Sequence, residues 1–241
     1  MPQIYLITMS KFIRTLTIRF DKEISQREVP LFRGAVLRAL GDHANLLYHN
    51  HTGAETFRYS YPLIQYKRIG GKAAIVCVEE GADIIGQFLT EAPSAIVLGQ
   101  REVHLEVQKA IPARILVQTW QSTFKYHISQ WLPLNAKNYL IYQSTEALAD
   151  RITLLEGILR GNLLSMLKGL GIFLEDELSV SITNLSDSYI IYNKGVALMA
   201  FNADFTTNLS IPNFLGIGKN ASIGCGVVFR ENDRITANIE S

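Results

Sequence analysis

The chain has 241 residues, 48% of them hydrophobic and 19% charged, with a formal net charge of +1, which suits one large or two ordinary domains. No apolar run reaches the roughly 18 residues of a membrane span, and Met1-Pro2-Gln3-Ile4-Tyr5 lacks the basic start and long apolar stretch of a signal peptide. Cys77 and Cys225 form neither a CxxC nor a zinc spacing, so no disulfide framework is expected and a reducing cytoplasm is the natural setting.

The charge is unevenly spread. Residues 1–75 carry 11 Lys+Arg against 5 Asp+Glu, whereas the remainder carries 12 against 17. A basic first third on a nearly neutral protein is a modest pointer to a polyanionic partner.

Along the chain, Ile13–Phe20 alternates, with Leu16, Ile18 and Phe20 on one side and Thr15, Thr17 and Arg19 on the other, the pattern of a half-buried strand. Phe32, Ala35, Val36, Ala39 and Leu40 recur at helical spacing, Pro30 suits an early helical position and Gly41 a stop, so 29–40 is predicted as an amphipathic helix. Arg33 and Arg38 fall off its apolar stripe. Leu63–Arg68 and Lys72–Val78 are predicted strands joined by the hairpin signal Ile69-Gly70-Gly71. Residues 80–91 are predicted helical, stopping before Pro93, and Ala95–Leu98 and Val103–Val107 are predicted strands. The order strand, helix, strand, strand, helix, strand is that of a ferredoxin-like unit. A second unit begins near Ala113, with a strand at Ile115–Thr119 and a long helical stretch over about 136–170, interrupted near Gly157 or Gly161. Three β-rich segments follow, at Leu178–Leu185, Tyr189–Phe205 and Gly224–Phe229. The expectation is an α+β protein of two closely packed tandem ferredoxin-like (RRM-like) domains, 1–112 and 113–241, the second with its last helix reduced or missing.

Two motifs carry chemistry. Three of the five histidines, His43, His49 and His51, fall within nine positions, followed by Phe57-Arg58-Tyr59-Ser60-Tyr61 and Tyr66-Lys67-Arg68. Histidine exchanges a proton near neutral pH, Arg and Lys neutralise phosphate, and tyrosine stacks on bases. Together they suggest acid–base chemistry on a phosphodiester, against the plain alternative of a surface loop with incidental histidines. His49-x-His51 could instead hold a metal with His43 or Asp42, but no Cys or Glu cluster stands nearby. His127 is read as structural. The second motif is Gly216-Ile217-Gly218-Lys219-Asn220-Ala221-Ser222-Ile223-Gly224-Cys225-Gly226, with four glycines and a lysine in eleven residues. Glycine lets a backbone approach a ligand and present N–H groups to an anion. This is no Walker A loop, because Lys219 lacks a following Ser or Thr. The sober alternative is a glycine-rich hairpin without a ligand.

The order of Leu31-Phe32-Arg33-Gly34, His49-Asn50-His51, Tyr61-Pro62-Leu63-Ile64-Gln65-Tyr66-Lys67 and the terminal glycine loop before Val227-Val228-Phe229 resembles the CRISPR-associated repeat-cleaving endoribonucleases. These form the Cas-six family of the RAMP superfamily, and the likeness is to its type I-B-like branch. The family hallmark GhGxxxxxGhG is met by Gly216, Gly218, Gly224 and Gly226, and the histidine after the first helix matches the family's usual catalytic position. The resemblance implies two ferredoxin-like domains and metal-independent cleavage of CRISPR precursor RNA within the repeat. Attack by the 2′-OH would leave a 2′,3′-cyclic phosphate and a 5′-OH. It implies His49 or His51 as general acid or base, and RNA held by Arg33, Arg38, Lys67, Arg68, Lys72 and the glycine loop with Lys219. Repeat RNA is the expected partner, other CRISPR effector subunits and self-association are candidates, and no cofactor, metal or membrane is expected. The alternatives are a non-catalytic RNA-binding subunit of an RNA-guided complex and a metal-dependent phosphodiesterase.

Overall fold

Strand β1 (Lys11–Glu23) buries Ile18 and Phe20 as its alternation predicts, but Leu16 is only half-buried and Thr15, from the opposite side, is buried together with Ile13, while Phe12 and Arg14 face solvent. The structure, a computed structural model, describes residues 10–40, 61–91 and 95–233. Clustering of contacts divides the chain into two compact units, one of Phe12–Ile115 with Ala221–Gly224 and one of Leu116–Asn220 with Cys225–Glu231.

In the N-terminal unit, α1 (Val29–Leu40) follows β1 and buries Phe32, Ala35 and Val36, the predicted stripe. Its entry is fixed by Glu28, whose carboxylate accepts from the Ser25 backbone N at 2.7 Å and from Ser25 Oγ at 2.9 Å. β2 (Ile64–Ile69) and β3 (Lys72–Val78) form the predicted hairpin, with Gly70 and Gly71 at φ +57° and +78°. Helix α2 (Glu80–Glu91) buries Ile85. A small hairpin of β4 (Ala95–Leu98) and β5 (Arg101–His104) precedes β6 (Val107–Val117). The sheet order is β2-β3-β1-β6, the ferredoxin-like arrangement in which the first strand lies between the third and the last.

Sequence reading placed the last strand of this sheet too early. Ala95–Leu98 and its partner, which starts at Arg101 rather than Val103, form a separate two-stranded hairpin, and β6 completes the sheet. β6 is exposed along its first eight residues, so no apolar alternation marks it, and Pro112 within it argues against a strand.

The C-terminal unit contains β7 (Thr119–Trp131), α3 (Ala136–Ser144), α4 (Leu148–Gly169), β8 (Val180–Leu185), β9 (Tyr189–Asn193), β10 (Val196–Leu209) and β11 (Val227–Arg230). Its sheet order, β11-β7-β10-β8, repeats the arrangement of the first unit, with β9 paired to β10. The protein is therefore two tandem ferredoxin-like domains. The helix that would join β10 to β11 is absent, as expected, and residues 210–226 take its place in the chain. Ile211, Leu215 and Ile217 from this segment are buried, supplying apolar surface that the missing helix would have given. No helix among the described residues is long and apolar enough to cross a membrane.

The helical break also differs from expectation. It falls at 145–147, where the Thr145 backbone N and Oγ1 both donate to Ile141 O, at 3.0 and 2.8 Å, and close α3. Gly157 and Gly161 lie inside α4 uninterrupted. A glycine in a helix costs about 1 kcal/mol relative to alanine. That is outweighed by burial of Leu155, Leu159, Leu163 and Leu167 along one side, at roughly 1.5–3 kcal/mol each. A Cβ added at Gly157 or Gly161 meets nothing within 4 Å. Gly157→Ala and Gly161→Ala should therefore each raise stability by about 0.5–1 kcal/mol in denaturant titration. A loss would mean that both glycines serve a contact.

Candidate functional site

Tyr61 is buried and Gln65 Nε2 donates to Pro62 O at 2.9 Å, which fixes the chain as it enters β2. Burial also pushes the Tyr61 phenol above its ordinary pKa. The segment upstream carries His43, His49 and His51, and all three lie outside the described residues. What the structure supplies is its supports. The chain enters that segment from α1 and leaves it into β2, and these two elements pack against each other.

The same two elements receive the middle of the glycine loop. Tyr66 N donates to Ser222 O at 2.8 Å, and Tyr66 and Ile223 form a parallel bridge. Lys67 Nζ donates to Ala221 O at 2.6 Å. Gln26 Nε2, just ahead of α1, donates to Gly224 O at 3.0 Å. Residues 221–224 thus close the β2 edge of the N-terminal sheet and rest against the start of α1.

This geometry corrects the expectation for Lys67. Its side chain is fully buried and its ammonium is committed to the Ala221 carbonyl, so it anchors the loop instead of reaching a phosphate from the hairpin surface. The glycines carry an internal constraint as well. A Cβ on Gly226, at φ +61°, would lie 1.9 Å from Ile217 O, and one on Gly224, at φ +88°, would lie 2.6 Å from Gln26 Nε2. A Cβ on Gly218, at φ +81°, would lie 2.7 Å from Asn162 Oδ1, which accepts from Trp131 Nε1 at 3.0 Å. Gly216 is bridged to Val227. The space each of Gly218, Gly224 and Gly226 leaves open faces this protein's own atoms, so internal packing requires them. Gly218 and Lys219 are the exposed part of the loop.

The other predicted cations are dispersed within the N-terminal unit. Arg33 is half-buried on α1. Arg38, exposed on the same helix, donates through Nη2 to Val97 O at 2.9 Å. Arg68, exposed on β2, donates through Nε to Ile24 O at 2.9 Å, and Lys72 Nζ reaches Gln108 Oε1 at 3.2 Å. Arg68, Arg38 and Lys219 keep solvent-facing surface and remain able to meet an anion.

Sequence reading did not give the partners of three further groups. Arg101 pairs with Glu28, whose carboxyl is held below the usual range chiefly by the Ser25 backbone N–H. His127, read as structural, is buried with Nδ1 2.6 Å from Asp204 Oδ1, and Asp204 Oδ2 accepts from Asn184 Nδ2 at 3.1 Å. Their spacing in sequence gives no hint of the pairing, which β7–β10 register creates. Arg230 lies over the Phe124 ring at 4.8 Å.

Family models of the Cas6b N-terminal domain and the Cas6b C-terminal domain match residues 11–113 and 118–231. The chain belongs to the Cas6b family. A Cas6b crystal structure superposes with a TM-score of 0.80 at 28% identity, covering 91% of this chain and 100% of that one. A second solved structure, a CRISPR RNA processing endoribonuclease Cas6b, gives a TM-score of 0.69 at 26% identity over the same shares. An uncharacterized protein of Methanocaldococcus jannaschii is 36% identical over 143 residues, 56% of this chain and 96% of its own length.

Two outcomes follow for this Cas6b-family site. Lys67→Met leaves the buried Ala221 carbonyl without its donor and should cost about 1–3 kcal/mol in thermal or chemical unfolding. Gly226→Ala combines a positive φ, roughly 1–2 kcal/mol for an L side chain, with a backbone clash, and should lower the thermal midpoint further than Lys67→Met. A Gly226→Ala protein with wild-type stability would show that the loop crossing is not tight.

Proposed function

We propose that the chain is an endoribonuclease that cleaves CRISPR precursor RNA within the repeat, without a metal. The observation that carries this reading is the match of both Cas6b domains along nearly the whole described chain, joined to the His49-Asn50-His51 motif between α1 and β2.

In the proposed reaction the 2′-oxygen next to the scissile bond attacks phosphorus while its proton passes to a base. The 5′-oxygen leaves and takes a proton from an acid. The P–O5′ bond breaks as the P–O2′ bond forms, giving a 2′,3′-cyclic phosphate and a 5′-OH. His49 and His51 are assigned to these proton transfers, each such transfer contributing typically ~10²–10⁴-fold. Arg68, Arg38, Arg33, Lys72 and Lys219 are assigned to the RNA backbone, where affinity is set mainly by phosphate contacts. Lys67, Gly224 and Gly226 act indirectly, by holding the loop that presents Lys219.

Three measurements test the reading. Repeat cleavage should proceed at full rate in excess EDTA, and abolition reversed by zinc or manganese would replace this mechanism with a metal-dependent one. At least one of His49→Ala and His51→Ala should slow single-turnover cleavage by ~10²-fold or more with RNA affinity nearly unchanged. Wild-type rates in both would move the active site elsewhere. A single 2′-deoxyribose at the scissile nucleotide should block cleavage and preserve binding, whereas cutting at that bond would point to water as the nucleophile.

A further inference from the structure

The C-terminal unit carries a ladder of aromatic rings with one end in its core and the other in solvent. Trp120, Phe124 and Tyr126 on β7 meet edge to face at 6.3 and 6.5 Å, and Tyr126 stacks on Phe205 of β10 at 5.7 Å. Tyr126 and Phe205 are fully buried, whereas Trp120 is 41% exposed. The Arg230 guanidinium lies over Phe124 at 4.8 Å and Tyr126 at 5.9 Å, with Arg230 itself exposed. The Trp120 ring is pinned, since its Nε1 donates to Ser210 Oγ at 3.0 Å and Ser210 Oγ lies 2.6 Å from Leu116 O. Ser210 and Ile211 open the segment that replaces the missing helix, and Ile211 N donates to the Tyr126 hydroxyl at 2.8 Å. Arg230 is the cation on the ladder, Lys125 and Glu231 lie 3.9 Å apart, and Thr119 Oγ1, next to Trp120 in sequence, donates to Asp176 Oδ2 at 3.3 Å.

We propose that Trp120, Phe124 and Arg230 form a stacking subsite for one unpaired base of the RNA. The proposal rests on the reading that the chain binds repeat RNA, and adds to it a place where a base is held. The indole has spent its only hydrogen-bond donor inside the protein, so what it offers outward is a flat apolar face. That face is already fixed by Ser210 and Phe124, so little side-chain freedom is lost when a base lies on it. The guanidinium over Phe124 adds, beside the indole, a cation that suits both a base and its phosphate. Every base has such a face, so the subsite tolerates sequence and requires only that the nucleotide be unpaired.

The test uses the full chain and the repeat RNA encoded beside its own gene, with a 2′-deoxyribose at the scissile nucleotide, in EDTA. Affinity is measured by fluorescence anisotropy. Trp120→Ala should weaken binding by about 5- to 150-fold, the range for one stacked base, while Trp120→Tyr should stay close to wild type. Abasic substitution along the RNA should reveal one position that weakens the wild type but no longer weakens Trp120→Ala, and this double difference is independent of any loss of folded protein. Wild-type affinity in a folded Trp120→Ala protein overturns the subsite and leaves the nuclease reading intact, making the patch one for a protein partner. So does an abasic penalty that persists undiminished at every position. Failure of the wild type to bind the RNA at all overturns both.

Discussion

The buried bond from Lys67 to the Ala221 carbonyl, with its neighbour from Tyr66 N to Ser222 O, is the constraint on which the site depends. β2 is the outer strand of its sheet, and an open strand edge invites pairing with another chain. Residues 221–224 close that edge. They also meet Gln26 and the Val29 side chain at the start of α1. α1 and β2, the elements that precede and follow the histidine segment in the chain, thus share a third support, the glycine loop. A lysine suits the anchor because its flexible stem packs in the apolar core while the ammonium satisfies a carbonyl that would otherwise be buried and unpaired.

The C-terminal unit solves a different problem. A ferredoxin-like sheet needs cover on the face where its helices lie, and here one helix is missing. Segment 210–226 provides the cover irregularly, with Ile211, Leu215 and Ile217 turned inward and backbone bonds to β11 from Phe214 N and to Leu215 O. Such a path bends more sharply than a helix, and the positive φ angles of Gly218, Gly224 and Gly226 are its turning points. Incomplete cover leaves Trp120 at the surface and Phe124 half-buried, while Tyr126 and Phe205 are sealed.

Much of the fold was legible from residue patterns. The 29–40 helix, the Gly70-Gly71 hairpin and the 80–91 helix were marked by strong periodicity and turn residues, and the structure places all three there. β6 was read only at its two ends and β7 not at all beyond Thr119, and the exposed stretches of both, wet on both faces, need no alternation. Gly157 and Gly161 misled because a local helix penalty was weighed without the leucine side that overrides it. The site divided differently. Glycine spacing identified the loop, but could not say that three of its glycines are required by contacts with Gln26, Asn162 and Ile217. A lysine within an apolar-rich strand looked like surface charge, because its partner stands 154 positions away.

That separation bears on when the N-terminal unit can be finished during synthesis. Its four sheet strands are all made once Val117 has been added, yet the Lys67 ammonium still lacks the carbonyl that receives it until Ala221 follows. At about 5–20 residues per second, the wait from Val117 to Ala221 lasts on the order of 5–20 s. For that interval the β2 edge, which later carries residues 221–224, is unsealed. A nascent or truncated chain ending before Ala221 thus contains every strand of the first sheet but lacks the closure of its edge.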